Sequence, residues 1–510
     1  ALFILLIACI NYMNLSTARS VLRAKEIGVR KVVGARRPEL IAQFLSESVL
    51  LSWVATILAL GLTWLTLPWL NELSDQQLSI ATLLNWKIIL PLLLVPFIVG
   101  VMSGIYPALF LSSFQPIKTL KGFMKVGGGN ISFRKVLVVV QFSISIVLII
   151  ATAIAFRQLS YMQDKSLGFN KDHIVNLAYA SSLNDSYEAF KTELLSNTNV
   201  QSVSRSSRIP SGRLLDAMGS QINHGDSLAP TKADIKYVLI DEGFVPTFGL
   251  KTVAGRNFSK DFAGDSVSFV VNEAAVKALG LKSPQDVLGK QFGYGMRKGQ
   301  LIGVVNDFHF ESLHQRILPM VFLMRGDGRA GGYGNLSIKI SGNNIPVALA
   351  HIEKVWKSFL PEAPYDYTFL DNRFERLYET EQKQGTIFTV FSFIAIFIAC
   401  LGLLGLSAFA ISQRVKEIGI RKVLGADAGN IVGLLSKDFL KLVVIALVVA
   451  IPIAWYAMNR WLQDFSYRIN IDWWVFAVAG VLAILIALIT VSFQAIRSAM
   501  TNPVKNLRTE

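Results

Sequence analysis

Cysteine is nearly missing from this sequence: Cys9 and Cys400 are the only two in 510 residues, and each lies inside a long apolar run. They cannot support a disulfide framework, they leave the redox compartment open, and both read as packing residues. Charge is also scarce. Asp, Glu, Lys and Arg make up 17% of the chain and hydrophobic residues 52%, whereas soluble domains carry about 25% charge. This composition places the chain in the membrane class.

Several kinds of chemistry are absent as well. No G-x-x-x-x-G-K-[ST] string occurs, so ATP cannot be held here by the usual cradle of backbone amides and lysine. No serine sits in G-x-S-x-G and no cysteine has a histidine partner by motif, which leaves covalent catalysis without an anchor. Among the five histidines, His309 and His314 flank Glu311. Their spacing is not H-E-x-x-H and no third ligand is adjacent, so a structural role is expected and no metal or catalytic site is assigned.

What the chain does have is long apolar segments. A spanning helix needs about 20 mostly apolar residues, and seven segments meet or approach that length: roughly 1–18, 45–68, 87–112, 135–156, 385–411, 439–459 and 473–496. They fall as four and then three. The polar stretch from about 158 to 383 is long enough to fold as a domain.

The net charge of +15 is segregated. Loops on one side hold 21 Lys and Arg, among them Arg23, Lys25, Arg30, Lys31, Lys118, Arg134, Lys416, Arg421, Lys422 and Arg497; the opposite short loops hold Lys87, Arg460 and Arg468. Basic residues near helix ends stay cytoplasmic, so the charge reports topology and largely removes nucleic acid as a partner. The same rule places the 158–383 domain outside the cytoplasm.

The sequence repeats itself. Lys25-Glu-Ile-Gly-Val-Arg-Lys-Val-Val-Gly-Ala35 returns as Lys416-Glu-Ile-Gly-Ile-Arg-Lys-Val-Leu-Gly-Ala426, identical at nine of eleven positions. At the same offset of 391, Ile7-Ala8-Cys9 matches Ile398-Ala399-Cys400, and each copy closes on a similar string, Pro116-Ile-Lys-Thr-Leu120 and Pro503-Val-Lys-Asn-Leu507. The first string reads as a short amphipathic helix on the membrane surface, with Ala24, Ile27 and Gly28 on one face and Gly34 as its C-terminal cap; its twin ends at Gly425. Ala1 opens the chain inside an apolar segment, without Met or a basic leader. The expectation is a truncated chain whose full-length form has a further N-terminal helix and a first outer domain, eight helices in all.

These strings, together with Gly303-Val-Val-Asn-Asp-Phe-His-Phe-Glu-Ser-Leu-His314, resemble the MacB/FtsX family of ABC-transporter permeases. The closest branch is the one with duplicated halves and no fused nucleotide-binding domain. The resemblance implies a polytopic α-helical membrane protein, about seven transmembrane helices here, with one α/β extracytoplasmic domain. The expected domains are a first FtsX-like unit (1–125), a linker and helix (126–157), a MacB-like outer domain (158–383) and a second FtsX-like unit (384–510). In that family the loop after the second helix of each unit contacts the ATPase. This implies ATPase-coupling roles for Lys25, Glu26, Arg30, Lys31 and Gly34, and for Lys416, Glu417, Arg421, Lys422 and Gly425. The chain itself binds no cofactor, ATP lying on the partner subunit.

Within the outer stretch, Phe269–Glu273 and Ile302–Val305 look like strands and Pro346–Phe359 like a helix, while Gly249–Arg256 reads as a turn. Gly127–Gly129 reads as a flexible link. A helix over about 362–384, with Phe374, Leu377 and Phe388 at helical spacing, is expected to run on into the membrane as a stalk. Few ionisable residues occur in the spans, which favours transmission of energy across the membrane over a polar pore.

The function expected is a plasma (inner) membrane, non-enzymatic permease subunit for export or mechanotransmission. Its partners would be a cytoplasmic ABC ATPase, the lipid bilayer, and a periplasmic adaptor or hydrolase. It would act as a homodimer or as a single duplicated permease. The alternative is an FtsX-like regulator of an extracytoplasmic hydrolase or sensor that transports nothing.

Overall fold

The structure is a computed structural model. It describes residues 2–74, 77–79, 81, 85–113, 130–223, 228–324, 332–413, 417, 420–421, 424 and 427–499. The chain divides into two compact units, one of Ala1–Gln158, Gln382–Trp461 and Asn470–Glu510, the other of Leu159–Glu381 and Leu462–Ile469.

The first unit is helical: α1 (Leu2–Val32), α2 (Arg37–Ser74), α3 (Trp86–Ser112), most of α4 (Asn130–Asp164), the C-terminal part of the long helix Leu370–Gln413, and the helices Ala428–Leu462 and Trp473–Ala499. Among the described residues, six helical segments are long and apolar enough to cross a membrane, and Leu2–Ala18 is a shorter apolar stretch. In α3 the residues Pro96, Gly100, Ser103, Gly104, Pro107 and Ala108 form a buried stripe of small side chains. A Cβ at Gly100 would lie 2.6 Å from the Val49 Cα, so α2 and α3 meet at backbone distance, as small residues allow in lipid.

Polar side chains tie further helices together. In α4, Gln141 donates to the Ala399 carbonyl at 3.3 Å and Ser143 to the Ala446 carbonyl at 3.1 Å. Between the two copies of the repeat, Asn11 of α1 donates to the Ile398 carbonyl and rests against Gly402, where a Cβ would stand 1.8 Å from Asn11 Oδ1. Asn11 and Gly402 are counterparts at the repeat offset. Each copy thus meets the other at its own equivalent position, as two-fold contacts do.

The second unit is α/β. Its strands are β1 (Ile174–Ala178), β2 (Val200–Ser206), β3 (Ser220–Asn223), β4 (Leu228–Pro230), β5 (Lys236–Ile240), β6 (Thr252–Gly255), β7 (Phe269–Asn272), β8 (Gln291–Tyr294), β9 (Arg297–Val305), β10 (Met320–Met324), β11 (Asn335–Ile340) and β12 (Tyr367–Phe369). They form a mixed sheet in the order β12-β1-β11-β2-β5-β10-β7-β9-β8-β3-β4, with β6 also paired to β9.

Alternation along the strands splits the core in two. Phe269, Val271, Val321 and Leu323 face α5 (Tyr187–Leu195) and, further on, the helix Ile345–Phe359, through Phe190, Ile352 and Trp356. Val270, Met320 and Phe322 face the other way, toward α6 (Phe244–Thr247), Phe308, Phe310 and Phe374. The remaining helices are α7 (Glu273–Ala278), α8 (Ile345–Phe359), α9 (Leu370–Gln413), α10 (Ala428–Leu462) and α11 (Trp473–Ala499).

The expected strands and the 346–359 helix are present as β7, β9 and α8. Two boundaries differ. The helix expected from 362 begins at Leu370, because Pro361 and Pro364 disfavour helix there and Tyr367–Phe369 pairs with β1 instead. It then runs 44 residues to Gln413 as one helix. The 249–256 segment is more than a turn: Gly249 turns with φ 63°, and Thr252–Gly255 is strand β6. Gly127–Gly129 and the strings closing each repeat lie outside the described residues.

Candidate functional site

The basic string after the first apolar segment is not a separate surface helix. Ala24, Lys25, Glu26, Arg30 and Lys31 are good helix formers, and no proline separates them from the apolar segment, so α1 continues through them to Val32. It stops at Gly34, whose φ of 107° favours glycine. The Ala35 N–H bonds to the Arg30 carbonyl at 3.0 Å and the Gly34 N–H to the Lys31 carbonyl at 3.2 Å, the paired bonds of a Schellman cap.

Below this cap the elbow is anchored on its apolar side and charged on the other. Ile27 is buried with Leu40, Phe44, Ala108 and Leu111. Lys31 Nζ donates to the Ser112 carbonyl at 2.7 Å and Arg37 Nε to Ser112 Oγ at 3.3 Å, placing two cations at the C-terminal end of α3, where the helix dipole favours them. Burial, and then the neighbouring Arg37, lower the Lys31 pKa.

On the open side Arg30 bonds Glu26 at 2.7 Å and Gln43 at 2.8 Å, and Arg23 bonds Glu47 at 2.9 Å. These residues line a cleft of about 110 Å³. Half-exposed i,i+4 pairs add only about 0.3–0.5 kcal/mol to a helix, so the charges are on display more than they hold the fold.

The second copy repeats the pair. Glu417 and Arg421, the counterparts of Glu26 and Arg30, bond at 2.8 Å and are likewise half exposed. Ala495, which matches Ala108 when counted back from Pro503 and Pro116, is buried beside Ile411. Of the residues expected to couple, Glu26, Arg30, Lys31 and Gly34 come together at the first elbow, and Lys25 lies on α1. Lys416, Lys422 and Gly425 lie outside the described residues. Arg23, Gln43, Glu47 and Ser112, which complete the first elbow, lie outside the repeated eleven-residue string and could not be picked from it.

A profile of the FtsX-like permease C-terminal domain matches the chain twice, over residues 1–116 and 389–503. The chain belongs to the FtsX/MacB family of permeases. Among relatives of this permease, the macrolide export ATP-binding/permease protein MacB of Aggregatibacter actinomycetemcomitans is 25% identical over 215 residues, covering 41% of this chain and 33% of its own length. An ABC transporter permease of Bacillus subtilis, YknZ, is 28% identical over 117 residues, covering 23% of this chain and 28% of its own length. The permease thus spans a third or less of the length of these curated relatives. The periplasmic region of MacB from Actinobacillus actinomycetemcomitans aligns in structure with 42% of this chain and 97% of that one, at 19% identity and a TM-score of 0.30.

Proposed function

We propose that this FtsX-like permease couples a separate cytoplasmic ABC ATPase to its α/β unit on the far side of the plasma membrane, for export or mechanotransmission. ATP sits on the ATPase, and the chain holds no cofactor. The observation that carries the reading is the repeated elbow, in which Glu26–Arg30 and Glu417–Arg421 present the same half-exposed ion pair at equivalent positions of the two copies. A pair that contributes so little to stability yet recurs with its whole string fits a docking surface used twice.

The segregated positive charge supports a cytoplasmic position for both elbows, and hence an outer one for 159–381. The contact between Asn11 and its counterpart Gly402 supports a single duplicated chain as the whole permease, with one ATPase subunit per elbow. The continuous α9, shared by both units, is the element along which motion would pass.

The test is the full chain purified from its native membranes with the ATPase that accompanies it, reconstituted in nanodiscs. The double variant Glu26→Gln, Glu417→Gln should unfold at nearly the wild-type temperature and lose ATPase association or stimulation at least tenfold. Association and stimulation that both stay at the wild-type level would overturn the assignment.

A further inference from the structure

Where α10 ends and the chain turns toward α11, the eight residues Leu462–Ile469 pack as part of the α/β unit. Short loops between helices are usually polar, yet this one carries Phe465 and Tyr467, and Phe465 is buried. Both rings are seated on histidines of the 303–314 string. His309, itself buried, meets the Tyr467 ring edge-on with centroids 4.8 Å apart, and the His314 ring lies 5.0 Å from that of Phe465. The Lys165 ammonium sits 3.9 Å above the other part of this contact, the Tyr467 ring, at cation–π distance.

The rest of the histidine-bearing string is already committed to holding itself in place. Asn306 accepts from the Lys251 N–H at 2.7 Å and donates to the Gly168 carbonyl at 2.8 Å. Asp307 accepts from the Ala274 N–H at 2.7 Å, and Glu311 accepts from the Leu214 N–H. The His309 N–H reaches the Leu167 carbonyl at 2.8 Å, and the Leu313 N–H reaches Tyr378 Oη of α9 at 3.0 Å. Gly168 lies so close that a Cβ there would fall 2.5 Å from the Asp307 carbonyl. Phe308 and Phe310 are buried in the core below. The string is therefore a firm platform, and the imidazoles of His309 and His314 are the parts of it that face the loop.

We infer that Leu462–Ile469 is a clasp: Tyr467 and Phe465 grip the His309–His314 platform, so that displacement of the ends of α10 and α11 is delivered to the α/β unit at this point. Tyr467 and Phe465 are positioning residues in this scheme. The clasp gives the 303–314 string a role, and its part in coupling rests on the ATPase-driven reading above.

The test is hydrogen exchange read by mass spectrometry on the full chain in nanodiscs. Tyr467→Ala should raise exchange of residues 306–314 and 165–169 at least tenfold while β1 and β11 stay within twofold, and Tyr467→Phe, which keeps the ring, should stay within twofold throughout. Unchanged exchange of 306–314 in Tyr467→Ala would overturn the clasp. A rise that spreads across β1 and β11 would overturn it too, by making Tyr467 a prop for the whole unit. With the accompanying ATPase, ATP and vanadate present, the wild type should show an altered exchange pattern in the α/β unit that Tyr467→Ala lacks although the ATPase still co-purifies. If Tyr467→Ala keeps that ATP-dependent change, the clasp is not the route. If the wild type shows no such change, the ATPase-driven reading fails and the exchange result without nucleotide judges the clasp by itself.

Discussion

Acidifying the permease from pH 7 to pH 4 is expected to loosen the segment 306–314 through one side chain, His309. The residue is 5% exposed, and burial, followed by the nearby Lys165 ammonium, lowers its pKa from 6.5 to about 4. When the segment opens, the ring titrates near its ordinary value, so between these two pH values the closed state binds fewer protons than the open one. The closed state keeps its full advantage above pH 6.5 and loses it progressively as the pH falls toward 4. At about 1.4 kcal/mol for each pH unit, the loss reaches roughly 3 kcal/mol at pH 4, which is on the order of a hundredfold in the opening equilibrium. Hydrogen exchange of the full chain, wild type against His309→Phe, reads this directly. Phenylalanine keeps a ring against Tyr467 but cannot take up a proton, and comparing the two proteins at one pH cancels intrinsic exchange and all other titrating groups. The two should agree within about threefold at pH 7, and at pH 4 the wild-type segment should exchange about a hundredfold faster. Equal rates at pH 4 would refute the reasoning.

Two glycines make the remaining predictions. At Gly303 a Cβ would stand 2.0 Å from the Arg256 carbonyl oxygen; backbone cannot yield as a side chain can, so Gly303→Ala should cost about 3 kcal/mol, seen as a lower unfolding temperature. Gly264→Ala, with nothing within 4 Å, is the neutral control. At the meeting of the two repeats, Gly402→Ala should cost about 1–2 kcal/mol, most of it recovered when Asn11→Ala is added. The measurement is a double-mutant cycle of unfolding in mixed micelles, and a coupling energy near zero would show that the two positions do not touch.

Much of the architecture was legible because lipid and periodicity leave strong marks. Long apolar runs require helices in a bilayer, since hydrocarbon cannot satisfy an open backbone, and the short aromatic and β-branched run Phe269–Asn272 marks a strand, which is buried along its whole length. The repeat exposed both elbows, since an eleven-residue coincidence with two aliphatic exchanges needs no coordinates to be seen. Boundaries were less legible. The amphipathic pattern at 24–34 is the same whether the helix turns along the membrane surface or continues out of it, and continuation followed from the absence of a breaker before Gly34. The start of α9 is poorly marked: helical spacing begins near residue 362, yet Pro361 and Pro364 and the pairing of Tyr367–Phe369 with β1 hold the chain out of helix until Leu370.

By itself, then, the sequence determined the spanning helices, the two-fold repetition and the family, since each depends on composition or on residues adjacent along the chain. Only the tertiary structure decided what those residues touch: that Arg30 reaches Gln43, that Lys31 caps α3 at Ser112, that Asn11 meets its own counterpart, and that Tyr467 sits on His309. Those partners lie from 13 to 391 positions apart. Nothing in local propensity or periodicity encodes contacts at such separations; they exist because packing brings the segments together.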